Sequence, residues 1–234
     1  MAELLRIDHR FRGPPDSGNG GYVCGLVARA LGGSDCEVTL HAPPPLDRDL
    51  QLEVSDDEAR LLGGESLIAS ARRTALDLEV PLPPTLEQAE KAGKRFTGFT
   101  HHIFPACFVC GPDRAKGDGL RIFTGAAHRQ VAGTWTPDPS LFDEDGALRT
   151  EFVWAALDCP GYFSVEEQAR PALLGRLAVR ILDPRIGHGQ LIVTGWPISN
   201  EGRKHSAGTA LHDAKGRLLA IGRATWIRLQ NSPA

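Results

Sequence analysis

The sequence has little of several features that would place a protein in a specialised class. Its 234 residues include only five cysteines and carry a net charge of −3 at pH 7. So small a charge gives no general attraction to nucleic acid or to an anionic membrane. An odd number of cysteines without a secretion signal does not indicate a disulfide framework. Because no apolar run is long enough to span a bilayer, we expect a soluble cytoplasmic protein.

Several catalytic motifs are missing as well. No GxSxG segment is present, which excludes the usual serine-hydrolase elbow. Residues 13–21 (GPPDSGNGG) are rich in glycine but lack the preceding strand, the lysine and the spacing of a nucleotide-binding loop. Cys107 and Cys110 form a CxxC with His101 and His102 nearby, but no second CxxC or spaced histidine pair completes a four-ligand set. We therefore predict no metal site and interpret this segment as a tight turn with packed thiols.

Hydrophobic periodicity predicts one helix and three strands in the first half of the chain. Residues 20–31 (GGYVCGLVARAL) carry apolar side chains at helical spacing, and Gly32 and Gly33 are expected to end the helix. Alternating or β-compatible stretches follow at 36–41, 49–55 and 65–75.

The second half repeats this order. A helix is predicted over 151–158, with Thr150 as its N-cap and with Pro160 and Gly161 closing it. Strands are predicted at 120–123, 130–135, 177–182, 190–198, 204–212 and 217–227. The two halves can be laid over each other in order and length, which we interpret as internal duplication. Chance similarity between two α+β segments is the alternative.

A proline-rich and polar stretch separates the two halves. Residues 81–84 read PLPP, and residues 87–94 are expected to form a short helix. We predict domains at 1–80 and 106–234 joined by a linker at 81–105. In each unit the strands would curl around the helix and bury its apolar face. Joining the two units along an edge would make one continuous sheet and hide that edge.

Residues 105–162 carry a succession of motifs. CFVCG begins at Cys107, a strand starts with Gly119 and Leu120, VAGTWTP follows at 131–137, and WAALD ends at Asp158. This succession resembles the small acyl-CoA thioesterases of the hotdog superfamily. The resemblance implies an α+β tandem hotdog, with two long helices each wrapped by an antiparallel sheet, forming a pseudo-dimer. It also implies hydrolysis of an acyl-CoA thioester with no metal and no organic cofactor.

Each half of the chain departs from the family pattern at a different place, so each half keeps a different part of the site. The family helix begins with His-Gly-Gly and has a carboxylate seven residues beyond the second glycine. Asp158 fills the carboxylate position of the second half, but residues 149–151 read Arg-Thr-Glu. In the first half residues 19–21 read Asn-Gly-Gly, but Ala28 stands at the carboxylate position. Because the family's site lies between two units, the resemblance implies one composite working site and one vestigial site.

The composite site has a physical basis for thioester chemistry. The N–H groups of Gly20 and Gly21 at a helix start would polarise the thioester carbonyl, and Asn19 would orient water or substrate. Asp158 would activate water or attack as a nucleophile. Candidate substrate-binding residues are Asp16, Ser17, Tyr22, Thr150, Glu151 and Trp154. For Glu151 the alternative is an ordinary first-turn acid that interacts with the helix dipole.

Two other functions stay open. The chain could bind acyl-CoA without turnover, since each half lacks part of the family motif. A hydratase or dehydratase acting on enoyl or hydroxyacyl thioesters ranks last, because neither helix start carries a histidine. The acyl group is not identified. The oligomeric state also stays open between a single chain and a homo-oligomer of pseudo-dimers.

Overall fold

An eleven-stranded antiparallel sheet and four α-helices form the framework of residues 2–230, the part of the chain that this computed structural model describes. The strands are β1 (Ala2–Arg6), β2 (Cys36–Leu40), β3 (Asp49–Val54), β4 (Glu58–Gly63), β5 (Ser66–Arg73), β6 (Gly125–Ala127), β7 (Gln130–Trp135), β8 (Ala172–Ile181), β9 (Leu191–Glu201), β10 (Lys204–Asp213) and β11 (Leu218–Arg228). The helices are α1 (Gly20–Arg29), α2 (Leu86–Gly93), α3 (Thr150–Ala156) and α4 (Cys159–Ala169). None of these helices is long and apolar enough to cross a membrane.

The order of strands in the sheet separates the two halves of the chain. It runs β1–β3–β4–β5–β2–β8–β11–β10–β9–β7–β6, with antiparallel pairing throughout. The strands of residues 2–73 therefore lie together, next to those of residues 125–228. The two sets join where β2 pairs with β8, from Cys36 opposite Val179 to Thr39 opposite Arg176. The sheet is thus continuous, and no free edge remains at the junction.

Helices α1 and α3 pack against each other at a glycine. A Cβ on Gly25 would lie 2.6 Å from Cα of Glu151 and 2.8 Å from Cβ of Trp154. The indole N–H of Trp154 donates to the carbonyl oxygen of Gly33, just beyond the end of α1, at 2.8 Å. Gly21 to Ala28 are all buried, because α1 lies between the sheet and α3.

Most of the predicted elements are present. The helix predicted at 20–31 is α1, and Gly32 and Gly33 follow it with positive φ angles of 91° and 78°. The short helix predicted at 87–94 is α2, which begins with a capping box between Thr85 and Gln88. It packs against β6 and β7, so part of the predicted linker belongs structurally to the second set of strands.

The second predicted helix is wrong in its bounds. Arg149 stands at the N-cap and Thr150 is the first helical residue, so Thr150 is not the cap. Helix α3 ends at Ala156, the chain turns at Asp158, and α4 continues to Ala169. Pro160 lies in the first turn of α4 instead of closing α3, because the first turn of a helix tolerates a residue without an N–H. The expected second long helix is therefore two consecutive helices, of 7 and 11 residues, with a break at Asp158.

The strand predicted at 120–123 is also wrong. In this segment the N–H groups of Leu120 and Ile122 donate to the carbonyl oxygens of Phe108 and Val109, at 2.8 and 2.9 Å. The segment is extended but pairs with the turn around Cys107 to Gly111, so it does not join the sheet. The two edge strands, β1 and β6, were not predicted.

Replacing Gly25 by alanine is expected to lower the free energy of unfolding by about 1–3 kcal/mol, because no room exists for a methyl group between α1 and α3. Alanine is the better helix former, so helix propensity alone predicts the opposite sign. Urea denaturation followed by circular dichroism measures the change. Gly187→Ala is the control, since a Cβ there meets nothing within 4 Å. A Gly25→Ala protein as stable as the wild type would contradict the close packing.

Candidate active site

The start of α1 and the break between α3 and α4 meet at a buried carboxyl group. The side-chain amide of Asn19 and the backbone N–H of Gly21 each donate to Oδ2 of Asp158 at 2.9 Å. Asn19 Oδ1 accepts the N–H of Tyr22, also at 2.9 Å, so helix capping orients the amide. Asp158 is only 2% exposed. The structure therefore brings together Asn19, Gly21 and Asp158, which sequence analysis assigned to one site.

The environment of Asp158 favours its neutral form. Oδ1 is buried and has no hydrogen-bond partner among the described residues. Burial raises the pKa of Asp158 to about 7, the Gly21 N–H and the Asn19 amide oppose the rise, and a negative charge on the Cys107 sulfur adds to it. Oδ2 is thus held by two donors, whereas Oδ1 stays available for a proton or a water molecule.

Both glycines at the start of α1 are in close contact with other residues. A Cβ on Gly21 would lie 2.4 Å from Cβ of Asp158, and one on Gly20 would lie 2.8 Å from Cδ2 of Leu174. The N–H of Gly20 has no acceptor among residues 2–230. The expectation that both N–H groups face a carbonyl therefore needs correction, because the N–H of Gly21 already binds Asp158. Gly20 is the one of the two whose N–H is unpaired.

A cavity of about 530 Å³ lies beside Asp158, and Asn19 and Gly20 contribute to its wall. Most of its lining is apolar. Large side chains in the lining include Leu40, Tyr162, Phe163, Leu174, Trp226 and Ile227. A cavity with an apolar lining and a few convergent polar groups is typical of a small-molecule site.

Of the three candidate substrate-binding residues near the start of α1, two line the cavity and one does not. Asp16 and Ser17 line the cavity, as expected of substrate-binding residues. Tyr22 does not line it, because its ring stacks on Phe11 with centroids 4.1 Å apart. It belongs to an aromatic cluster inside the core, so its assignment to substrate binding is not supported by its position.

The candidates on α3 lie away from this cavity. Thr150 lines a separate cavity of about 130 Å³. Glu151 is buried, with Arg29 and Arg149 at 3.6 and 3.7 Å from its carboxylate. Trp154 is fully buried and bonds to the end of α1. Side chains at the start of α3 face another part of the molecule, so none of the three contacts the space beside Asp158.

A cluster of thiols at this cavity was not predicted from the sequence. Cys107, Cys110 and Cys159 have all three sulfur atoms within 4.8 Å of one another, and all three residues line the cavity. Hydrogen bonds from Cys110 and Cys159 lower the pKa of the Cys107 thiol, and burial raises that of Cys110. The CxxC spacing signals two of the three cysteines. Nothing in the local pattern points to Cys159, which the break after α3 brings to the other two.

Comparisons with known proteins identify the fold. No protein-family model matches the sequence, and no curated protein matches it. The tesB protein of Mycobacterium avium subsp. paratuberculosis superposes with a TM-score of 0.63 at 11% identity, covering 98% of this chain and 93% of that one. A candidate thioesterase II from Thermobifida fusca gives 0.64 at 17%, covering 98% and 94%. A hot dog fold protein of unknown function from Alicyclobacillus acidocaldarius gives 0.55 at 10%, covering 99% and 94%.

These likenesses extend over nearly the whole length of each chain. At such low identity they establish the fold and not the activity. The protein therefore has the hotdog fold, and the expected resemblance is confirmed at the level of the fold.

Asn19→Ala is expected to lower the free energy of unfolding by about 2–4 kcal/mol. The variant loses the cap of α1, worth about 1 kcal/mol, and a hydrogen bond to a buried carboxyl worth about 1–3 kcal/mol. Thr85→Ala is the matched control, because Thr85 caps α2 without touching the site, and it should cost about 1 kcal/mol. Urea denaturation measures both. Equal losses in the two variants would show that the bond to Asp158 contributes nothing.

Proposed function

We propose that the protein hydrolyses acyl-CoA thioesters at Asp158. The observation that carries this proposal is the convergence of Asn19 and Gly21 on one oxygen of a buried carboxyl group beside an apolar cavity. The names of two structural neighbours, a tesB protein and a candidate thioesterase II, support the class of reaction. The apolar cavity would hold the acyl group.

We also propose that the chain is a fused pair of hotdog units, with domains at 1–80 and 106–234 and a linker at 81–105. The first set of strands packs against α1, and the second set packs against α4, which follows α3 across the break at Asp158. The sets meet where β2 pairs with β8, and α1 packs against α3. Such a pseudo-dimer would supply Asn19 and Gly20 from one unit and Asp158 from the other.

The proposed reaction uses two groups of this site, the carboxyl group of Asp158 and the backbone N–H of Gly20. Asp158 takes a proton through Oδ1 from a water molecule that attacks the thioester carbonyl carbon. The unpaired N–H of Gly20 donates to the carbonyl oxygen as it gains negative charge, and the dipole of α1 adds to this stabilisation. The C–S bond then breaks, and Asp158 returns the proton to the leaving sulfur. Asn19 and Gly21 hold Oδ2 throughout, which fixes the direction of Oδ1.

A second site could be formed the other way round, from the start of α3 in one unit and position 28 of α1 in the other, but it would not support this reaction. Ala28 stands where a carboxylate is needed, and Arg149 and Thr150 stand at the start of α3. The nearby Glu151 is held by two arginines. We propose one working site in each chain and one that lacks its catalytic groups.

Binding of acyl-CoA without turnover is the second candidate. It is favoured by the bond between Gly21 and Asp158, which leaves only the N–H of Gly20 for a substrate carbonyl. Titration calorimetry with a non-hydrolysable acyl-CoA analogue, alongside a thiol-release assay with acyl-CoA, distinguishes the two. Tight binding with no thiol release would select the binding function.

Asp158→Asn is expected to lower the rate of thiol release from acyl-CoA by about 10²–10⁴-fold, because an amide cannot accept the proton of the attacking water. The substituted amide keeps an oxygen for the bonds from Asn19 and Gly21, so the variant should fold. A thiol-reactive dye and a panel of acyl-CoA chain lengths measure the rate.

Glu37→Gln is the control for loss of a carboxylate. Glu37 is buried on β2, pairs with Arg72 at 2.7 Å and does not line the cavity, so its activity should match the wild type. An Asp158→Asn protein as active as the wild type would refute the assignment of Asp158. A wild-type protein that hydrolyses no acyl thioester would refute the proposed activity.

A further inference from the structure

Three buried thiols converge at a point where two distant parts of the chain meet. Cys107 and Cys110 lie in the turn that precedes Gly111, and Cys159 is the first residue of α4. Their sulfur atoms all lie within 4.8 Å of one another, and those of Cys107 and Cys159 are 3.9 Å apart. In a tetrahedral zinc site with Zn–S bonds of about 2.3 Å, two sulfurs are about 3.8 Å apart. The cluster therefore has nearly the dimensions that one zinc ion requires.

The turn at residues 107–111 directs two of the sulfurs to one side. The N–H of Gly111 donates to the carbonyl oxygen of Cys107 at 2.9 Å, and a Cβ at Gly111 would lie 2.5 Å from that oxygen. Only glycine fits this tight turn without displacing it. A CxxCG turn of this kind brings both sulfurs within reach of a single ion.

Hydrogen-bond donors surround the sulfur atoms. Asn19 Nδ2 lies 3.8 Å from the sulfur of Cys107, and His102 Nε2 lies 3.2 Å from that of Cys110. Because His102 Nδ1 accepts the N–H of Phe104 at 3.0 Å, the neutral ring carries its proton on Nε2. His102 is therefore a donor to the Cys110 sulfur and not a metal ligand. Donors in these positions stabilise thiolates, as they do around bound metal ions.

We propose that Cys107, Cys110 and Cys159 bind one Zn²⁺ as thiolates, with a water molecule or a small ligand from the cavity in the fourth position. Each thiol gives its proton to solvent on binding, and three thiolates around one Zn²⁺ carry a net charge of −1. The surrounding N–H donors offset this charge. Zinc fits because it accepts tetrahedral thiolate sites, whereas Mg²⁺ and Ca²⁺ require oxygen ligands.

This proposal replaces the expectation, based on sequence alone, that the CxxC is only a tight turn of packed thiols. That expectation rested on too few ligands in the local pattern, and Cys159 supplies a third. Zinc at this position would tie residues 107–111 to the start of α4, directly beside Asp158. The site does not depend on the proposed hydrolysis, since the metal can be measured without any substrate.

Zinc content is the direct test. Wild-type protein, freed of any affinity tag, loaded with Zn²⁺ and gel-filtered, is expected to retain about one zinc per chain by elemental analysis. The Cys159→Ala variant should retain at least about tenfold less zinc, because the loss of even an outer-shell partner typically lowers metal affinity 10–100-fold. Cys36→Ala is the matched control, because Cys36 is also a buried cysteine but lies outside the cluster, and it should bind as the wild type does.

Cobalt substitution tests the wild-type protein without relying on a variant that folds. Protein loaded with Co²⁺ should show thiolate-to-cobalt charge-transfer bands and the strong visible bands of tetrahedral cobalt. Absence of these bands, wild-type protein that retains no zinc, or a Cys159→Ala variant that retains a full equivalent would overturn the proposal. A disulfide within the cluster, found by thiol counting of the denatured wild-type protein as purified, would overturn it as well.

Discussion

The hydrogen bonds from Asn19 and Gly21 to Asp158 are the contact on which the rest of the site depends. They join the start of α1, next to the first set of strands, to the break beside the second set. A carboxyl group buried without donors would be costly, and these two N–H groups reduce the cost. The contact also requires glycine at position 21, because a side chain there would overlap Asp158. The same contact therefore fixes both the packing of α1 against the break after α3 and the position of the carboxyl group.

The break between α3 and α4 gives the cavity its two unusual features, a buried carboxyl group and the thiol of Cys159. A straight helix would point adjacent residues about 100° apart around its axis. Here the turn at Leu157 and Asp158 lets the carboxyl group face α1 while Cys159 faces the turn at residues 107–111. The hydroxyl of Thr209 donates to the carbonyl oxygen of Leu157 at 2.9 Å, which satisfies a group that the break leaves without a helical partner. One local irregularity thus positions a carboxyl group and a thiol at the same cavity.

The elements that sequence analysis predicted well are those with strong local signals. Helix α1 has an asparagine cap, a glycine pair and apolar side chains at regular spacing, all within a dozen residues. Strand β6 has only three residues, too few for alternation to be recognised, and β1 reads AELLR, in which two adjacent leucines break the alternation. The assignment of Thr150 and Trp154 to the substrate failed for another reason. Position in a helix does not reveal which neighbour it packs against, and α3 turns these residues toward α1.

The sequence by itself determined where α1 begins, because capping and helix formation depend on contacts among neighbouring residues. It also supplied, through its resemblance to a family, the expectation that Asn19 and Asp158 meet. Only the tertiary structure decided that the N–H of Gly21 binds the carboxyl group, while the N–H of Gly20 finds no acceptor among residues 2–230. Only the tertiary structure brought Cys159 to Cys107, 52 positions away, and Asp158 to Asn19, 139 positions away. Contacts at such separations depend on how the whole sheet closes around its helices, which no local spacing specifies.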